Sequence, residues 1–162
     1  MTQKKPMRRR AILAFVLNRP GVLNKISMLI RRKMYNVDTI TACETKRPDI
    51  SRITLTLRED RDDKIRKVLL QMEKLTEVIS ARELDTTQSF WREVAVVKFE
   101  ASDTQLEKLR SEFRFKVLDR KDPEVIIVQI AGTIQMIDDF LAAVGHDKVI
   151  EAARSGCTAL EK

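Results

Sequence analysis

Hydrophobic periodicity sets out one order of elements twice along this chain: strand, helix, strand, strand, helix, strand. Few folds accept that order, because each helix must carry the chain over the sheet before the next strand can pair. The first copy opens with Ala11 to Leu17, apolar enough to be buried on both faces or to lie at a dimer seam. The helix after it, Val22 to Lys33, sets Val22, Ile26, Leu29 and Ile30 on one side at helical spacing. Val37 to Thr45 is rich in Val, Ile and Thr and predicts a strand, and Lys46-Arg47-Pro48-Asp49 predicts a turn. Ser51 to Arg58 alternates, with Ile53, Leu55 and Leu57 inward and Arg52, Thr54 and Thr56 outward. Asp62 reads as the N-cap of a second helix burying Ile65, Val68, Leu69, Met72 and Leu75, and Val78 to Leu84 is a fourth strand.

The polar, aperiodic run Asp85-Thr86-Thr87-Gln88-Ser89 reads as a linker, and the order then recurs with weak sequence similarity between the halves. Glu93 to Glu100 is a strand, and Asp103 to Phe113 a helix burying Leu106, Leu109 and Phe113. Lys116 to Asp119 is a short strand, Asp122-Pro123 a turn, and Val125 to Ala131 an apolar strand. Thr133 to Val144 is a helix with Ile137, Phe140, Leu141 and Val144 inward, and Lys148 to Ala153 is the last strand. Each half is a split β-α-β unit, so the expected class is α+β with two ferredoxin-like βαββαβ domains. The division is an arm over 1–10, a domain over 11–84, a linker over 85–90 and a domain over 91–162. A domain of about 75 residues leaves a sheet face or edge to cover, and pairing with a second subunit is the usual remedy.

The formal charge of +7 invites a nucleic-acid reading, but Lys4, Lys5, Arg8, Arg9 and Arg10 supply five of those charges. The body keeps only +2, with acids and bases interleaved, so this is a basic arm on a balanced body and not a basic binding face. The arm lacks the apolar stretch of a secretory signal, and no apolar run approaches the roughly 20 residues that span a bilayer. Cys43 and Cys157 share no motif with each other or with the single His146, which argues against a disulfide framework or a zinc site. The cytoplasm is the expected compartment. His146 reads as a surface histidine at a helix end and Trp91 as the head of a strand packed at the domain junction.

Where the first strand meets the first helix stands Asn18-Arg19-Pro20-Gly21-Val22-Leu23. Pro20 sets the φ of a first helical turn, and Gly21 keeps bulk away from its N–H groups. Such a junction suits a carboxylate or phosphate without any basic side chain; a tight turn with no ligand is the other reading. Other uses of the superfold fit less well. An RNA-recognition domain would carry aromatics on the central strands, yet Ser51 to Leu57 has none and the first strand offers only Phe15. A metal carrier would need a Cys pair near the first loop. An acyl-phosphate hydrolase could use Arg19 and Asn36 for phosphate and water, but its glycine-rich first loop is missing and no general base stands beside them. Catalysis by this chain alone is not expected.

These residues resemble the small, regulatory subunits of acetohydroxyacid synthase (acetolactate synthase), over about Arg9 to Leu160. The resemblance rests on Asn18-Arg19-Pro20-Gly21-Val22-Leu23, Tyr35-Asn36-Val37 and Ser51-Arg52. It continues through Arg92-Glu93-Val94, Val128-Gln129-Ile130-Ala131-Gly132-Thr133 and Ala153-Arg154-Ser155-Gly156. It implies that the N-terminal domain is an ACT domain, and that the chain is a non-catalytic homodimer partnering a large catalytic subunit. Thiamine diphosphate, magnesium and FAD would belong to that partner and none to this chain. It also implies activation of the partner and feedback inhibition by a branched-chain amino acid, usually valine. The implied effector site is Asn18, Pro20, Gly21, Val22, Leu23 and Asn36, shared between two subunits at the ACT dimer interface. A stand-alone ACT amino-acid sensor acting on another target is the alternative. Three positions depart from the family pattern: Met34 and Phe115 where glycine follows a helix, and Cys43 where the residue is smaller.

Overall fold

The computed structural model describes residues 8–120 and 124–162. Lys4 and Lys5 of the basic arm, and the turn expected at Asp122-Pro123, lie outside the described residues. The chain divides into two compact units: one runs to Phe90 and takes in Ala159–Lys162, the other is Trp91–Thr158. The sequence reading gives 91–162 to the second domain, and within it Ala159–Lys162 pack with the first unit.

The first unit contains β1 (Arg9–Leu17), α1 (Val22–Arg32), β2 (Val37–Glu44), β3 (Ile50–Arg58), α2 (Asp62–Met72) and β4 (Val78–Glu83). Its sheet runs β2-β3-β1-β4 with antiparallel pairing throughout, Ala14 of β1 lying opposite Ile53 on one side and Ala81 on the other. β1 is therefore central, and its apolar character comes from burial within the sheet, not from a dimer seam; the open edges are β2 and β4. Ile12, Ala14, Val16, Ile53, Leu55 and Leu57 meet Val22, Ile26, Leu29 and Ile30 of α1 and Ile65, Val68 and Met72 of α2 in one core. Each Ile, Leu or Val so buried contributes about 1.5–3 kcal/mol.

Two expectations about this unit need correction. Thr54 and Thr56 are 2% and 0% exposed, so β3 is buried on its far face as well as its helix face. The Thr39 and Thr56 hydroxyls share a hydrogen bond of 2.7 Å, and the Arg52 guanidinium donates to the Thr54 hydroxyl at 3.4 Å and to the carbonyl of Ala159. Asp62 is also not a cap. Arg61 takes the N-cap position of α2 without a side-chain bond, and Glu59 upstream braces the turn that leads into the helix. Its carboxylate accepts from the backbone N–H of Asp60 and of Arg61, both at 3.1 Å, and from Lys64 Nζ at 2.9 Å. Asp62 instead accepts from Arg10 Nη1 at 2.6 Å, while Arg10 Nε and Nη2 grip both oxygens of Glu83.

The second unit repeats the plan with β5 (Ser89–Glu100, whose first two residues lie in the first unit), α3 (Asp103–Glu112), β6 (Phe115–Arg120), β7 (Val125–Gly132), α4 (Ile134–Val144) and β8 (Val149–Arg154). Its sheet order is β6-β7-β5-β8, and a short strand the sequence did not reveal, β9 (Thr158–Glu161), pairs with β5. Phe140 sits at the middle of the core, its ring centroid 5.9, 5.5 and 5.4 Å from those of Phe99, Phe113 and Phe115. Phe115 adopts no left-handed conformation, because α3 ends on Phe113 in extended geometry (φ −130°) and Phe115 enters β6 directly. Glycine is not needed there, and the ring adds to the core. Both helices are capped from the sequence: Ser102 and Gln105 form a reciprocal capping box on α3, and the Thr133 hydroxyl accepts from Met136 N–H on α4. His146 is exposed just past α4.

The Lys64 ammonium and two backbone donors hold the Glu59 carboxyl below the ordinary carboxylate range. A folded-state pKa below the unfolded one stabilises above the unfolded value, and that contribution disappears as pH falls through the folded one. Glu59→Gln is accordingly expected to destabilise the protein by about 1.5 kcal/mol at neutral pH and by little in acid. Denaturant midpoints of both proteins across the carboxylate range check this; an equal loss at every pH would contradict it.

Candidate functional site

Backbone geometry at the β1–α1 junction follows from two residues. Gly21 has φ +86° and ψ −11°, and Val22 N–H bonds back to the Arg19 carbonyl at 3.4 Å, the pattern of a type II turn with Pro20 and Gly21 at its centre. Pro20 thus presets the turn before α1 and lies outside the helix. A Cβ on Gly21 would meet nothing within 4 Å, so its positive φ, not crowding, demands glycine. Gly21 is the N-cap and no side chain caps α1. Lys25 N–H bonds to the Gly21 carbonyl, whereas among the described residues nothing accepts from the N–H of Leu23 or Asn24. Free donors at the positive end of an 11-residue helix are what a carboxylate needs.

Asn18 is pinned beside this turn. Its N–H bonds to the Asp49 carbonyl at 2.8 Å, and its Nδ2 donates to Glu44 Oε1 at 3.2 Å and to the Pro48 carbonyl at 2.9 Å. Both amide protons are spent within the chain, which leaves Oδ1 to accept. With the Glu44 carboxylate alongside, Asn18 suits an ammonium group and not a carboxylate.

Asn36 lies elsewhere. The 11 residues of α1 span about 16 Å, with Gly21 before one end and Asn36 beyond the other. Asn36 lines a cavity of about 430 Å³ with Ser27, Ile30, Arg31, Met34 and Ile40. The structure therefore brings Asn18, Pro20, Gly21, Val22 and Leu23 together and leaves Asn36 apart from them within one chain. The same separation divides Arg19 from Asn36, so the pair an acyl-phosphate hydrolase would use is not assembled. Sequence reasoning missed Ser27, Arg31 and Ile40. Leu23, Ser27, Ile30 and Met34 recur at helical spacing on a face that leads to Asn36, and that period was the available signal. Leu23, Met34 and Ile40 on this side are 44%, 91% and 40% exposed.

Met34 occupies a left-handed backbone conformation, φ +59°, alone among the described non-glycine residues. Its N–H bonds to the Arg31 carbonyl at 2.9 Å, and Tyr35 N–H to that of Ile30 at 3.3 Å. Together these make a Schellman cap, with Tyr35 packed on the core next to Ile30. Among the described residues no cluster of three or more His, Cys, Asp or Glu could hold a metal, and no helix is long and apolar enough to cross a membrane.

Comparison with known proteins gives this arrangement its class. Residues 12–80 match the family model described as "AHAS small subunit-like ACT domain", which makes the first unit an ACT domain. Residues 92–162 match "Small subunit of acetolactate synthase". The chain is 31% identical over 155 residues to a probable acetolactate synthase small subunit of Methanothermobacter thermautotrophicus, covering 93% of this chain and 91% of the relative. It is 30% identical over 158 residues to the isozyme 3 small subunit of Salmonella typhimurium, covering 95% and 96%. The crystal structure of the Thermotoga maritima small subunit superposes with a TM-score of 0.84 at 28% identity, over 96% of this chain and 98% of that one. The chain belongs to the acetolactate synthase small-subunit family, and membership implies a catalytic large subunit as partner.

Replacing Met34 by glycine relieves the left-handed strain, offset in part by the greater freedom of glycine in the unfolded chain. A gain of about 0.5–1 kcal/mol is expected for Met34→Gly, read as a higher denaturant midpoint at unchanged slope.

Proposed function

We propose that this chain activates the thiamine-diphosphate-dependent catalytic subunit of acetolactate synthase and makes it sensitive to feedback inhibition by branched-chain amino acids, valine foremost. On this reading the chain is a homodimer through its ACT domain, and thiamine diphosphate, magnesium and FAD belong to the catalytic partner. The observation that carries it is the division of the effector residues between the two ends of α1. One chain cannot close its own site, but two copies whose α1 helices run antiparallel across a two-fold axis would set Asn36 of the partner subunit beside the Leu23 and Asn24 donors. The exposed apolar residues on that side of α1, and the open edge of β2, favour such a contact.

The effector then takes complementary contacts: carboxylate at the helix N-terminus, ammonium at Asn18 Oδ1 with Glu44 behind it, aliphatic side chain against Leu23 and the neighbouring apolar surface. Because two subunits make the site, its occupancy biases how they pack. A differential affinity of about 1–3 kcal/mol between two packings is enough for allosteric control.

Reconstitution tests the first half of the proposal. The isolated chain is expected to turn over no pyruvate, and to raise the rate of its large subunit in a manner that valine reverses. An unchanged rate on mixing would leave the stand-alone sensor as the better reading. Asn36→His tests the second half. Loss of one charge-assisted hydrogen bond, about 1.5–3 kcal/mol, is expected to weaken valine binding tenfold or more while dimer mass and activation persist. Unchanged valine affinity, with only the melting temperature reduced, would make Asn36 a turn residue.

A further inference from the structure

The cleft between α3 and α4 in the second unit differs from its counterpart in the ACT domain. It encloses about 350 Å³, within the range of small-molecule sites. Its floor is apolar, made by Phe99, Leu109 and Val144, which are 0%, 6% and 7% exposed. Its rim carries charges of both signs, Lys108, Glu112 and Glu100. Ala143 and Ala101 leave the space open between the helices.

Those rim charges are unspent. Among the described residues none of Lys108, Glu112 and Glu100 has an ion-pair partner, although Arg110 and Glu107 on the same helix pair at 3.1 Å. Lys108 and Glu112 stand four residues apart, close enough to meet, but in the order that pairs less well: Lys precedes Glu, against the helix dipole. Cation and carboxylate therefore lie near one another over an apolar floor without neutralising each other. The corresponding groove between α1 and α2 of the ACT domain holds about 290 Å³ and is rimmed by Lys25, Arg32 and Lys74, and the one carboxylate that reaches this rim, Glu77, is spent on Lys25. That groove offers nothing to an ammonium group; the second one does.

The geometry points to a second ligand site in the C-terminal unit, a cleft for a small zwitterion with an aliphatic tail, that is, an aliphatic α-amino acid. Its carboxylate meets Lys108, its ammonium meets Glu112 or Glu100, and its side chain enters between Leu109 and Val144. All of its residues come from one unit of one chain, so this site is complete without the dimer that the ACT site requires. It does not rest on the function proposed above.

Titration of the full-length chain with L-leucine, followed through the methyl resonances of Leu109, Ala143 and Val144, tests the assignment. The methyls of Val22 and Leu23 report the ACT site separately in the same spectra, so failure of either site is visible alone. Saturable shifts at Leu109, Ala143 and Val144 are expected, and they are expected to persist in Asn36→His. Ala143→Leu fills the cleft from an exposed helix position, so it should abolish the shifts at Leu109 and Val144 with the melting temperature retained. 4-Methylpentanoate and isopentylamine, each lacking one charge, should bind about tenfold more weakly than L-leucine. No shift at these methyls up to the solubility limit of L-leucine would overturn the proposal. Equal affinity for all three compounds would overturn it as well, leaving a merely apolar cavity.

Discussion

Each domain is closed at one corner by an ion pair with one buried and one partly exposed member. In the ACT domain Arg10, 4% exposed, grips Glu83 with two nitrogens and reaches Asp62 with a third. In the second unit Arg154 binds both oxygens of Glu93, itself 2% exposed, at 3.1 and 2.6 Å and reaches Asp138 at 2.6 Å. The register is the same in both: Glu83 lies opposite Ile12, two residues after Arg10, and Arg154 lies opposite Ala95, two residues after Glu93. Each bridge ties the start of the central strand to the last strand and to the second helix. The two strand positions exchange signs, while the helix supplies an aspartate in both. The Arg10 guanidinium is held well above its ordinary pKa, first by Glu83, so its charge persists at any pH the fold survives. Removing Glu83, or Arg154 in the second unit, would leave Arg10 or Glu93 charged and buried, at a cost of about 3–5 kcal/mol. A one-residue slip of either strand would turn the charge to the opposite face, so each bridge also fixes the strand register of its own domain.

What the sequence disclosed, and what it withheld, follows from how each feature is encoded. Helix faces such as Val22, Ile26, Leu29 and Ile30 are written as period, and they emerge as the core. The junction at Pro20-Gly21 is written in residues with restricted or unusual backbone freedom, so its turn was legible in outline. Burial of Thr54 and Thr56 was not, because alternation marks a polar face without saying whether something covers it. β9 escaped notice because only Ala159 within it is buried, and one apolar residue makes no pattern. Glu59 was overlooked because it acts on the turn before α2, through the N–H groups of Asp60 and Arg61, and not at a cap position. The resemblance to acetolactate synthase small subunits named all of the proposed effector residues and their division between two subunits, but not Ser27, Arg31 and Ile40 beside Asn36. Sequence spacing carries no direction in space.

The division of the effector residues between its two ends makes α1 more than a packing element. Its N-terminus offers backbone donors, its C-terminus the Schellman cap that places Met34 and Asn36, and its outer face the exposed apolar residues between them. A ligand bridging two such helices would read their relative position directly. The Glu44–Asn18 hydrogen bond adds a link from the same turn to the end of the open edge strand β2. Local geometry at one junction thereby touches both surfaces that a second copy would use.

Residues 159–162 have a consequence for how the molecule is made. Glu161 pairs with Arg82, Lys162 N–H bonds to the Gln88 carbonyl at 3.0 Å and its ammonium to the Thr87 carbonyl at 2.9 Å, and Arg52 holds the Ala159 carbonyl. Every one of these partners lies in the first unit, which is synthesised first. Vectorial folding on the ribosome, ordinarily N-terminal domain before C-terminal domain, therefore cannot finish the ACT domain when its own 80-odd residues emerge. Arg52 and Arg82 must wait until residues 159–161 have been synthesised. Until then the first domain is folded but unfastened, so a late segment completes an early domain.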